Sequence, residues 1–234
     1  MSIIAENLQA VEATIGRAVD AAGRPRSTVQ LLAVSKTFPA EAVLEAMAAG
    51  QRAFGENYLQ EGIDKIEAVA RAQPGAPVEW HFIGPIQSNK TRPIATHFHW
   101  VHSVERLKIA QRLSEQRPPE LGPLNICLQV NISGEASKSG ADPDELPELA
   151  RQVAALPNLR LRGLMAIPER QAEPELQRQA FARLRALADS LRAEGLLLDT
   201  LSMGMSGDME AAILEGATIV RIGSAIFGAR HYAE

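Results

Sequence analysis

The chain contains one cysteine, Cys127, so no disulfide can form within it. A lone thiol inside the apolar stretch Leu124 to Val130 reads as a small core residue and fits a reducing cytoplasm. No apolar run is long enough to cross a bilayer. The stretch Met1 to Gly23 does not read as a secretion signal, because Glu6, Glu12 and Arg17 interrupt its apolar residues. There is no excess of positive charge: 24 basic against 28 acidic residues leave −4, which argues against nucleic acid or an anionic membrane as partner. No linker rich in Pro, Gly or Ser divides the sequence, so residues 1–234 are expected to form one domain. Lysine is scarce as well. Lys36, Lys65, Lys90, Lys108 and Lys138 are the only five, and arginine supplies most of the positive charge.

What is present is a steady alternation of helix-like and strand-like segments. Ile4, Leu8, Val11, Ile15 and Val19 recur at helical spacing until Gly23-Arg24-Pro25 stops them. Strands are predicted at Val29–Ser35, Arg52–Gly55, Val78–Ile83, Phe98–His102, Leu124–Val130, Leu159–Ile167, Leu198–Met203 and Thr218–Ile222. Helices follow them from Pro39, Asn57, Gln87, Val104, Asp142 and Glu173, with short ones after the last two strands. Eight such units favour an α/β fold of the closed (β/α)8 barrel type over an open sheet.

In such barrels chemistry sits where the strands end, and phosphate is commonly held after the seventh and eighth. Lys36 ends the first strand, where desolvation eases deprotonation of its amine. Ser202 to Asp208 leaves the seventh strand, and Arg221 to Ala225 the eighth. Ser206-Gly207 and Gly223-Ser224 have the composition of an anion cradle; Asp208 is expected to point outward and cap its own helix. An amine facing a phosphate cradle suits a phosphorylated carbonyl compound. A sugar phosphate and pyridoxal 5′-phosphate (PLP) both satisfy that description.

Several stretches resemble the PLP homeostasis protein family. They are Leu32 to Lys36, Phe54 to Tyr58, Trp80 to Lys90, Val101 to Val104, Gln129 to Ile132, Ser137 to Gly140, Leu161 to Ile167, Leu201 to Ala212 and Val220 to Gly228. The resemblance implies a fold-type III PLP barrel similar to the amino-terminal domain of alanine racemase. It implies that Lys36 holds the cofactor as a Schiff base and that Ser206, Gly207, Gly223 and Ser224 bind its phosphate. Asn57 would lie beside the ring, Met165 and Met203 would wall it, and Arg221 would donate to the pyridine nitrogen. A guanidinium only donates, so that nitrogen would stay unprotonated and the ring would be a weak electron sink. Racemases resembling this barrel add a β-rich domain carrying a catalytic tyrosine. This sequence runs only to Glu234, with Tyr58 and Tyr232 as its tyrosines.

The expectation is a monomeric cytoplasmic protein that buffers or delivers PLP to client enzymes without robust catalysis. The alternatives are a PLP-dependent racemase or decarboxylase, a Schiff-base aldolase, and a binding module regulated by PLP. Lys138 is the second candidate amine. His81, His97, His99 and His102 lack a completing cysteine or carboxylate at ligand spacing, so no metal site is expected. His81 reads instead as a hydrogen-bonded residue of the barrel interior, and Gln87 to Lys90 as a helix start. Arg178, Arg183, Arg185 and Arg192 read as a solvated helix face.

Overall fold

The computed structural model describes residues 1–136 and 139–230. Lys138, Ser137 and Tyr232, singled out above, lie outside the described residues. Eight parallel strands close in sequence order. They are β1 (Gln30–Val34), β2 (Ala53–Glu56), β3 (Glu79–Phe82), β4 (Trp100–Val104), β5 (Leu124–Gln129), β6 (Leu159–Met165), β7 (Thr200–Ser202) and β8 (Ile219–Ile222). Around them run α1 (Ile3–Ala21), α2 (Ala40–Ala48), α3 (Leu59–Ala72), α4 (Thr91–His97), α5 (Leu107–Gln116), α6 (Leu146–Ala154), α7 (Pro174–Ala193), α8 (Met209–Leu214) and α9 (Ser224–Phe227). The expected barrel is present, and closure leaves no open strand edge. Among the described residues no helix is long and apolar enough to cross a membrane.

Several boundaries differ from the sequence expectation. Ser88–Lys90 forms a tight turn, and the helix expected from Gln87 begins at Thr91. Phe98 belongs to the end of that helix, its N–H donating to the Ile94 carbonyl at 3.2 Å, so the fourth strand starts two residues late. The helices expected from Val104 and Asp142 begin at Leu107 and Leu146. Arg178 and Arg185 are not simply solvated: they ion-pair with the buried Glu215 at 2.8 and 3.2 Å and tie α7 to the end of α8.

Strand periodicity sorts the core into two layers. Leu31, Ala33, Phe54, Phe82, Val101, Ile126 and Val220 face the helices. Leu32, Val34, Ala53, Ile83, Trp100, Cys127, Met165 and Ile219 pack inside the barrel. Burial pushes the Cys127 thiol up to about 12, so it stays a neutral core group. Gly163 is required where β6 meets β7, because a Cβ there would lie 1.7 Å from the Thr200 carbonyl oxygen. Outside the barrel, Ser2 caps α1 by accepting from the Ala5 N–H at 3.2 Å. Asn7 donates to the Ile226 carbonyl at 2.9 Å, and Arg24 to those of Ile213 and Ala217 at 2.8 and 2.7 Å. These bonds strap α1 to the last barrel unit.

Behind the end of β1 sits a buried ionic cluster. Lys65 donates to the Ser35 carbonyl and to Glu56 Oε1, each at 2.7 Å, and ion-pairs with Glu61 at 2.7 Å. Ser35 Oγ donates to the same Glu56 oxygen at 2.6 Å. Burial pushes the Glu56 carboxyl up, against the opposing pull of Lys65. Removing one member of a buried pair strands its partner. Lys65→Met is therefore expected to destabilise the fold by about 3 kcal/mol in urea unfolding.

His81 and His102 are fully buried in the barrel interior. Burial holds both imidazoles below their ordinary value near 6.5; Glu79 opposes this at His81, while His81 and Arg221 reinforce it at His102. With native values below the unfolded ones, the unfolded chain takes up protons that the native state refuses. The stability this provides is complete above pH 6.5 and is lost as pH falls below it. Unfolding free energy should thus decline on mild acidification, by up to about 1.4 kcal/mol per pH unit for each histidine, and His102→Asn should flatten the slope.

Candidate functional site

At the carboxyl-terminal mouth the three rim segments meet over a cavity of about 750 Å³. All seven residues singled out from the sequence line it: Lys36, Asn57, Ser206, Gly207, Arg221, Gly223 and Ser224. The seam explains the convergence, since β1 pairs with β8 with Ala33 opposite Ile222. The residues that leave these two strands are therefore neighbours.

Lys36 stands at the top of β1 in a tight turn. The Phe38 N–H donates to the Ser35 carbonyl at 3.1 Å, and Thr37 takes φ of 68°, the left-handed region that a β-branched residue rarely adopts. The strain is held from behind: the Thr37 N–H donates to Glu61, and Lys65 fixes the Ser35 carbonyl. The lysine is half-buried, and desolvation lowers its pKa. The Arg230 guanidinium adds to this, and Glu56 opposes it. No carboxylate among the described residues ion-pairs with it. The amine is thus oriented, partly dehydrated and uncommitted.

Across the opening, the Ser206 and Ser224 hydroxyls stand 3.5 Å apart. The backbone N–H groups of Ser206 and Gly207 make no hydrogen bond among the described residues. These donors converge without a carboxylate between the two serines. Asp208 does not point outward as expected. It lines the cavity, and its Oδ1 accepts from the Met205 N–H at 2.7 Å, which closes the turn; burial raises its carboxyl while Arg221 pulls it down.

Arg221 is 4% exposed, with its head at the cavity floor. Its Nη1 donates to Ser202 Oγ at 2.7 Å and its Nη2 to the Ala166 carbonyl at 3.0 Å. Burial lowers its pKa to about 10, so it remains a cation at neutral pH. Asn57 is held by close backbone packing. A Cβ on Gly84 would lie 2.1 Å from the Asn57 carbonyl oxygen, so only glycine permits the approach. The Asn57 side-chain oxygen is buried without a partner.

Among the lining residues that escaped the sequence reading, three add charge or an apolar wall. Arg230 lies over the Gly223–Ser224 turn, its Nη2 2.7 Å from where a Gly223 Cβ would be, and its buried Nε has no partner. Arg170 adds a further cation, and Met205 an apolar wall. The expected walls Met165 and Met203 do not line the cavity. Met165 packs inside the barrel beneath it, and Met203 packs among the helix-facing core. The signal for Arg230 was its place just after Gly228, whose φ of 92° turns the chain back toward the mouth.

The sequence profile of the alanine racemase N-terminal domain matches residues 7–231. The pyridoxal phosphate homeostasis protein of Pseudomonas aeruginosa is 68% identical over 232 residues, covering 99% of this chain and 98% of its own length. The solved structure of PipY of Synechococcus elongatus with PLP bound is 38% identical, with a TM-score of 0.84 over 96% of this chain and 100% of its own. An alanine racemase of Clostridium difficile shares the fold at 17% identity and a TM-score of 0.71, covering 98% of this chain but only 58% of the racemase. The chain belongs to the pyridoxal phosphate homeostasis protein family, built on the alanine racemase N-terminal domain.

Proposed function

We propose that the chain binds PLP in the cavity at its carboxyl-terminal mouth and serves PLP homeostasis, holding the cofactor and releasing it to client enzymes. The observation that carries this is the convergence of an uncommitted amine, an anion cradle and a buried cation around one cavity. A volume of about 750 Å³ is in the range of small-molecule sites. The orphaned Asn57 oxygen and Arg230 Nε support an occupant that supplies their missing partners. When bound, PLP brings an aldehyde open to attack by an amine, a pyridine nitrogen and a phosphate.

Lys36 offers the amine, which partial dehydration makes easier to deprotonate. Ser206, Gly207, Gly223 and Ser224 would hold the phosphate with hydroxyl and backbone donors. Arg230 would add charge that the cradle itself lacks. Asn57 would anchor the ring's polar edge. Arg221 can only donate, so the ring nitrogen opposite it would remain an acceptor and carry no proton. Such a ring is a weak electron sink, which counts against carbanion chemistry of the transaminase type. Among the described residues no tyrosine lines the cavity; Tyr58 is 49% exposed elsewhere. We further propose that residues 1–234 act as one domain, as a monomer in the cytoplasm, where apo forms of PLP enzymes would be the clients.

Lys36→Ala should abolish the visible absorption of the PLP-loaded protein and the peptide label left by borohydride reduction; an unchanged chromophore would refute the assignment. Gly84→Ala should push Asn57 off its position and weaken PLP binding about tenfold in a spectroscopic titration, roughly the loss of one charge-assisted or buried hydrogen bond.

A further inference from the structure

Barrels of this type fill their axis with branched apolar side chains. This one carries a continuous polar chain through it. At the amino-terminal mouth Glu79 Oε1 lies 2.7 Å from His81 Nε2 and also accepts from Gln30 Nε2 at 3.1 Å. His81 Nδ1 lies 2.8 Å from His102 Nε2, and His102 Nδ1 lies 2.7 Å from Ser202 Oγ. Ser202 Oγ is 2.7 Å from Arg221 Nη1. The path crosses from β3 through β4 and β7 to β8, and from one mouth of the barrel to the other. His81, His102 and Ser202 are wholly buried, while the Glu79 side chain is 41% exposed.

Both ends of the path are fixed by chemistry. Arg221 can only donate, and an ionised Glu79 can only accept. Hydrogen bonding to His81 pulls the Glu79 carboxyl down to about 2, so it is ionised at neutral pH. Every bond between must then run one way. Arg221 donates to the Ser202 oxygen, and the Ser202 hydroxyl donates to His102 Nδ1. His102 donates from Nε2 to His81 Nδ1, and His81 donates from Nε2 to Glu79. Each buried imidazole is neutral and carries its proton on Nε2. The reversed order leaves the Ser202 proton without an acceptor and sets a ring lone pair against the Glu79 carboxylate.

No carboxylate among the described residues ion-pairs with Arg221; its direct partners are a hydroxyl and a carbonyl. We propose that Glu79, His81, His102 and Ser202 are positioning residues that fix which N–H edge Arg221 presents to the cavity, with Glu79 as the fixed acceptor at the far end of the chain and Asp208, on the cavity wall, as the charge that Arg221 feels. This rests on the reading that Arg221 donates to the ring nitrogen of bound PLP. The chain then lets a side chain at one end of the barrel set the electronic state of a ligand at the other. The stack of His81 on Trp100, with ring centroids 5.3 Å apart and planes 9° apart, keeps the first imidazole from rotating out of line.

Two measurements test it. Histidine ¹⁵N spectra of the cofactor-free and PLP-loaded protein near neutral pH should show His81 and His102 protonated on Nε2 alone. A proton on Nδ1 of either ring, or an imidazolium, overturns the chain, whatever the protein binds. Titration with PLP compares Ser202→Ala, Ser202→Thr and Glu79→Gln with the parent. Ser202→Ala should weaken binding about tenfold and move the absorption maximum, the effect of losing one charge-assisted hydrogen bond. Ser202→Thr, which keeps the hydroxyl, should restore both. Glu79→Gln, which touches no ligand, should move the maximum in the same direction by less. Parent affinity and spectrum in both Ser202→Ala and Glu79→Gln overturn the proposal. Borohydride labelling of Lys36 in the parent runs alongside. A missing label overturns the binding reading itself, whereas a retained label with unmoved spectra overturns the chain alone.

Discussion

The seam between β1 and β8 governs the molecule. These strands pair in parallel with Leu32 opposite Arg221 and Ala33 opposite Ile222, so the residues that leave them emerge side by side. One strand delivers an amine, the other a buried guanidinium followed by a glycine–serine turn. Because all eight strands point the same way, no other mouth could collect these groups. The cavity is a consequence of closure, and its chemistry follows from which residues happen to sit one or two places beyond each strand.

Lys36, Arg170, Arg221 and Arg230 gather around one opening, and the cations in and behind it are accommodated in three ways. Lys36 yields part of its basicity to burial and to Arg230. Lys65 is neutralised by Glu56 and Glu61 outside the barrel wall, where it stiffens the turn that carries Lys36. Arg221 is satisfied by neutral acceptors and keeps its charge. Lys36 at the end of β1 and Lys65 on α3 behind it therefore differ in kind: one is without an ion pair among the described residues, and the other is locked in ion pairs as a support.

Much of this was readable from residue order. Eight alternating units pointed to a closed barrel, and barrel geometry alone put Lys36, Ser206 and Ser224 on one rim. Boundaries were harder, because the ends of α4 and α5 are set by tertiary packing and not by local pattern. Asp208 was misjudged for a similar reason. A carboxylate beside a helix start reads as a cap, but here the nearest free donor is the Met205 N–H, on the inner side of the turn. Arg230 was missed because its role depends on packing over Gly223, a contact across the mouth. His81 was legible as an interior hydrogen-bonded residue, yet its partner His102 comes from the next strand and was not. Register set it: β3 pairs with β4 with His81 opposite Trp100, two residues before His102, and no single sequence announces that alignment.

The strapping of α1 onto the last barrel unit has a bearing on how the protein comes into being. Asn7 and Arg24 find their acceptors at Ile226, Ile213 and Ala217, roughly two hundred residues downstream. During synthesis the first helix and first strand must wait, unpaired on that side, until the eighth strand leaves the ribosome. Lys36 is made early but has no cavity around it until then. Under the proposed function, capture of an aldehyde by Lys36 would thereby be deferred until the eighth strand has closed the barrel around it.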